Sequence, residues 1–266
     1  MLLIFATATL SLWPQASPPT AQQGPTGPST APSTPPAASP LTVVVLDPAH
    51  GGSDSGARGP SGVLESEIVL DFARVIRIAL EGQGFRVLLT REGNQDPSFD
   101  DRSTMINGIS DAVFISLHVS STGPVGTARV YSYVFPAAVP SGSAGLTPAV
   151  GSQLSPSASG PRHLSLVEWD LAQKAFVDRS RRLAELAQIQ LAQKFQGSPD
   201  SPMGAPVRQL RTIAAPAIAI EVSSVAVPDA QKLTQMGQPL AEAVARAVAD
   251  FRTSLRGGAA GSGVQR

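Results

Sequence analysis

Leu41-Thr42-Val43-Val44-Val45-Leu46-Asp47-Pro48-Ala49-His50-Gly51-Gly52 is the stretch on which the fold turns. A β-branched run this apolar suits a strand buried on both faces of a parallel or mixed sheet. Asp47 is the first charged side chain in the chain. His50 follows the strand closely, and the paired glycines after it let the backbone turn sharply beside the imidazole. Downstream, Ile68, Phe72, Val75, Ile76, Ala79 and Leu80 recur at helical spacing, and Gly82 and Gly84 end that helix. Phe85 to Thr90, Ala112 to Leu117 and Thr127 to Val134 read as strands, with a short helix containing Met105 before the second of them. A long helical pattern runs from about Leu166 to Phe195, broken near Asp178; Ala215 to Val222 is the last strand, and Pro239 to Leu255 a closing helix. Strand and helix in alternation predict one α/β domain, a mixed, mostly parallel sheet with helices on both faces.

Upstream of the first strand the composition changes twice. Leu2 to Trp13 is apolar, shorter than the about 20 residues that span a bilayer but of the length of a signal-peptide core. It predicts an export signal over residues 1–16. Residues 17–40 are Pro, Ser, Thr, Ala, Gly and Gln without a large apolar side chain. Such a segment buries too little surface to offset its ordering entropy and reads as a disordered linker. A similar Pro/Ser/Gly-rich stretch at about 136–161 interrupts the domain, which otherwise covers 41–256, and 257–266 reads as a disordered tail. Of 266 residues, 42% are hydrophobic and 15% charged, which permits one sizeable core. The formal net charge is +0, so no basic field is available to hold nucleic acid. The absence of cysteine excludes disulfides, thiolate metal sites and thiol nucleophiles, so any metal must be held by histidine and carboxylate.

Two of the three histidines, His50 and His118, follow strands closely, at the edge where an open α/β sheet presents its function. Glu65 opens the first helix, where a negative charge is favoured by the helix N-terminus. Glu221 is a lone carboxylate near the end of an apolar strand, and such a group needs a partner or a wet cleft. Two histidines with one carboxylate would leave a position open on a tetrahedral zinc, which marks a catalytic site rather than a structural one. The remaining glutamate would then be free to act as general base. His163, beside the low-complexity insertion, reads as a solvated loop residue.

The order of the blocks adds a resemblance. Asp47-Pro48-Ala49-His50-Gly51-Gly52-Ser53-Asp54-Ser55-Gly56-Ala57, then Glu65, Leu89-Thr90-Arg91, Arg102 with Asn107, Ser116-Leu117-His118 and Ile220-Glu221 together resemble the zinc-dependent N-acetylmuramoyl-L-alanine amidases of the amidase 3 type. The similarity runs from about Leu41 to Leu255. It implies one zinc per chain, bound by His50, Glu65 and His118, with Glu221 as general base for zinc-bound water and peptidoglycan as substrate. It gives Asp54 and Arg102 supporting roles. Some relatives carry a regulatory helix inserted near this chain's insertion, which points to Glu168 and Trp169 as lining or capping the groove. Ala49 where glycine is usual, Val119-Ser120 after His118, and Val222-Ser223-Ser224-Val225 after Glu221 depart from the family pattern. The expectation is an exported, monomeric wall hydrolase without a transmembrane span beyond its signal, any activator protein being left open. Two alternatives stand beside it: a non-catalytic wall-binding or regulatory module of the same fold, and a zinc peptidase acting on stem peptides.

Overall fold

The run after Leu41 forms β1 (Val43–Pro48), buried along its whole length. In chain order there follow α1 (Glu65–Glu81), β2 (Arg86–Leu89), α2 (Phe99–Asn107), β3 (Ala112–Ser120), β4 (Thr127–Tyr133), a 3-10 helix (Trp169–Ala175), α3 (Val177–Lys194), β5 (Met203–Ala205), α4 (Arg208–Arg211), β6 (Ala217–Ser223) and α5 (Gln231–Gly261). These come from a computed structural model that describes residues 41–136, 168–227 and 230–261. The strands form one sheet in the order β2-β1-β3-β6-β4-β5. β2, β1, β3 and β6 pair in parallel, β4 runs antiparallel to β6, and β5 lies parallel to β4.

Alternation along the strands sorts the side chains into two cores. On one face Val44, Leu46, Val113, Ile115, Ile218 and Ile220 pack with residues of α1, α3 and α5. Phe72, Ile76 and Leu80 of α1 repeat every four residues and are almost fully buried, as an amphipathic helix on a sheet requires. On the other face Val43, Val45, Phe114, Ala217 and Ala219 meet Ile106 of α2 and Leu210 of α4 in a smaller core. A capping box fixes the start of α2, with Ser98 Oγ accepting from the Asp101 amide and the Asp101 side chain accepting from the Ser98 amide.

The architecture is the one the sequence predicts, with four adjustments. β5 and α4 are too short to show a period, at three and four residues. The break expected near Asp178 falls at Phe176, and the part before it is a 3-10 helix while the part after it is α3. α5 starts at Gln231 and carries Pro239 inside it, because Leu233 and Met236 extend its buried face upstream of the proline. It also runs on to Gly261, into the stretch assigned to the tail, since elongation of a formed helix gains one bond for each residue fixed. The signal and linker segments lie outside the described residues, as does the insertion beyond Pro136. Among the described residues no helix is long and apolar enough to cross a membrane.

Candidate metal centre

Strand register brings the chemistry together. Asp47 of β1 is the partner of Ser116 of β3, and His118 of β3 is the partner of Glu221 of β6. In-register neighbours share a face of the sheet, so His118 and Glu221 project side by side from the smaller-core face at the carboxyl ends of their strands. His50 reaches the same place from the loop after β1, held at φ 64. A left-handed conformation is uncommon for any residue but glycine and clusters at functional sites. Arg102 Nη2 donates to the His50 carbonyl at 3.2 Å, and Asp54 Oδ2 lies 2.8 Å from His50 Nδ1, turning the opposite ring nitrogen inward.

Glu65 arrives from the first turn of α1 and is 5% exposed. Its Oε1 accepts from the Val119 amide at 3.0 Å and lies 3.1 Å from His118 Nδ1. Its Oε2 accepts from the Ala57 amide at 2.8 Å and lies 3.1 Å from His50 Nε2. Burial pushes this carboxyl up, but hydrogen bonds from His118, His50 and the Ala57 amide outweigh it and hold the group well below the usual carboxylate range. The hydrogen bond to Glu65 in turn raises His50 to about 9, against burial and with help from Asp54. Glu65 is thus a buried carboxylate with an imidazole nitrogen and a backbone amide turned toward each of its oxygens. One ligand atom from each of His50, Glu65 and His118 lies within 4.8 Å of the others. Two imidazoles and a carboxylate fit a four-coordinate zinc with one position left over.

Gly56, at φ +63, keeps the gap between two of these residues open: a Cβ there would stand 2.5 Å from Glu65 Oε2 and 2.6 Å from His50 Cδ2. Behind the cluster, Asp47 accepts from Arg102 Nη1 at 2.5 Å, Thr90 Oγ1 at 2.6 Å and Ser116 Oγ at 2.9 Å. Arg91 donates to the carbonyls of Pro48, Ala49 and Ser66, tying the His50 loop to the start of α1. Asp47 and Arg91 both lie within the sequence blocks quoted above, but only one of them is conspicuous by residue type and position. Asp47 carried a signal, as a carboxylate directly after an apolar strand; Arg91 carried none, because its partners are all backbone carbonyls.

His118 lines three adjoining cavities of about 220, 210 and 300 Å³, and Glu221 lines the latter two. Glu221 receives a long hydrogen bond of 3.4 Å from the Tyr131 hydroxyl. The family described as N-acetylmuramoyl-L-alanine amidase matches residues 44–250, which takes in all of these elements. The chain belongs to that family. A sporulation-specific N-acetylmuramoyl-L-alanine amidase of Bacillus subtilis is 38% identical over 98 residues, 36% of this chain and 37% of that protein. The amidase AmiA of Escherichia coli is 40% identical over 76 residues, 29% of this chain and 26% of that one. The matched part thus spans about a third of the length of these curated relatives. Among solved structures, the amidase AmiC2 of Nostoc punctiforme aligns over 79% of this chain and 97% of its own with a TM-score of 0.57 at 22% identity, a likeness of fold.

Two departures from the family pattern meet each other. Ser120 and Ser223 are strand partners whose hydroxyls lie 3.1 Å apart, while Val119 and Val222 beside them are buried in the larger core. Glu168 and Trp169 are elsewhere, and the expectation that they line the groove is corrected. Both are exposed and line a separate cavity with Asn107 and Ala214, sharing no lining residue with the three cavities at His118. The cause is Gln173, whose amide nitrogen donates to the carbonyls of Ile213 and Ala215 and anchors the 3-10 helix at the entry of β6. Glu221 lies at the exit of that strand, roughly 13 Å further along at 3.3 Å per residue.

Proposed function

We propose that the chain is a zinc hydrolase that cleaves the amide between N-acetylmuramic acid and the L-alanine of the peptidoglycan stem peptide. His50, Glu65 and His118 would hold the metal, and Glu221 would be the general base. The observation that carries this is the clustered donor set of His50, Glu65 and His118 with the Glu221 carboxylate one strand away. Bound zinc would supply Lewis-acid chemistry, acidifying water and polarising a carbonyl oxygen. Glu221 takes the proton of the attacking water and returns it to the leaving amine. Asp54 fixes the ring of His50, and Arg102 fixes its backbone. The amide as substrate rests on family membership, and action outside the cytoplasm rests on where peptidoglycan lies.

The test is incubation of the purified protein with intact sacculi, with and without chelator, and identification of products by mass. Free stem peptides bearing an intact amino-terminal alanine are expected, and chelation should abolish them. A stem-peptide hydrolase would instead leave alanine on the lactyl group, and a wall-binding module would bind without releasing products.

Two results bear on the metal itself. One zinc per chain should be found by elemental analysis after dialysis, and none in the His50→Ala/His118→Ala protein; stoichiometric zinc in that variant would remove the proposed ligands from consideration. Gly56→Ala pushes a methyl group against both Glu65 and His50. It should weaken zinc binding by about 10- to 100-fold, the scale on which loss of a supporting contact acts at metal sites. Competition against a chromogenic chelator measures this, and unchanged affinity would mean that the ligands relax around the methyl.

A further inference from the structure

We propose that the cavity between Glu221 and α4 seats the first residue of the stem peptide, with Gln209 as the residue that positions it. This rests on the amidase reading above. The acid that returns a proton to the leaving amine must stand beside that amine, so the peptide side of the substrate lies in a cavity that Glu221 lines. Two cavities qualify. One is lined by Ser120, Ser121, Thr122 and Glu65, a wall of hydroxyls and charge. The other, of about 210 Å³, is walled by Ala205, Val207, Ala219 and the Tyr131 ring. An alanine methyl group belongs against the second wall, because packing it on the first would take water from hydroxyls and a carboxylate while offering them no hydrogen bond in return.

Gln209 is the polar group that this apolar wall contains besides Tyr131, His118 and Glu221. It is half-buried, and it lines both this cavity and the one holding His50 and Arg102. A carboxamide offers two donors and an acceptor, which matches the alternating N–H and C=O of a peptide backbone. Its place at the junction of the two cavities sets it across the bond to be cleaved. It touches the peptide next to the reacting amide and takes no proton. Val207, two residues earlier, closes the cavity from the same segment and sets the size of side chain admitted.

The experiment uses synthetic muramyl peptides whose first residue is alanine or valine, with kcat and KM measured for the parent, Gln209→Leu, Gln209→Asn and Val207→Ala. The parent should strongly prefer alanine. Val207→Ala should narrow that preference by about 10-fold, the scale of one or two methylenes in an apolar pocket. Gln209→Leu should raise KM about 3- to 10-fold, the loss of one neutral hydrogen bond, with kcat, zinc content and melting temperature held. Gln209→Asn should recover part of the loss. A parent that cleaves the amide while Val207→Ala leaves the alanine preference untouched would overturn the assignment alone. So would a Gln209→Leu protein that loses zinc or melts earlier in step with its activity. A parent that leaves the amide intact would overturn the functional reading and this assignment with it.

Discussion

Glu221→Gln should leave a folded, zinc-loaded protein that hydrolyses peptidoglycan about 10²- to 10⁴-fold more slowly, the usual loss when a general base is removed. The substitution preserves volume and keeps an oxygen able to accept from Tyr131, so packing has no reason to change. Glu221 stands outside the group of His50, Glu65 and His118, so the metal should stay. Rate of stem-peptide release from sacculi, zinc content and thermal melting are measured on the same preparation. Parental activity would place the base elsewhere, whereas loss of zinc along with activity would make Glu221 a ligand.

Arg102→Ala should have the largest effect on stability. The Asp47 side chain is 1% exposed and that of Arg102 7%, so the variant strands a carboxylate in the interior. Removing one partner of a buried pair costs about 3–5 kcal/mol, which in a domain of this size lowers the melting temperature by about 6–20 °C at 2–4 °C per kcal/mol. Thr90 and Ser116 still donate to Asp47 and place the result toward the lower end. Because Arg102 also holds the His50 carbonyl, metal affinity should fall with stability. Arg102→Met combined with Asp47→Leu should regain much of the stability, since no unpaired charge remains, but not the placement of His50. A single Arg102→Ala variant that melts with the parent would show that water or a neighbouring base reaches Asp47.

The fold was legible because its strands are long β-branched runs and α1 repeats its apolar residues over four turns. β5 and α4 escaped because three or four residues carry no period, yet they supply Ala205 and Gln209 to the groove. Pro239 invited a helix start that buried residues upstream of it overrode. At the site, His50, Glu65, His118 and Glu221 were readable as chemically costly residue types placed at strand or helix ends. Neither Tyr131 nor Gln209 could be chosen that way: their relevance is a distance across the sheet, and neither residue type is unusual where it stands. Glu168 and Trp169 were misplaced for the opposite reason. Proximity in sequence to an insertion says nothing about which end of β6 the chain returns to, and Gln173 decides that through two backbone carbonyls.

The sheet order has a consequence for how the protein comes into being. Among the described residues β6 is the last strand in the chain, yet it is inserted between β3 and β4. Until residue 223 leaves the ribosome, β3 and β4 each present a long unpaired edge, and such edges template aggregation. A chain stopped before Ala217 should therefore be insoluble rather than partly active. The same strand delivers Glu221 to the side of His118, so until β6 is in place the histidines and Glu65 lack the carboxylate proposed as their general base. Insertion of β6 closes the sheet and sets Glu221 beside His118 in a single event.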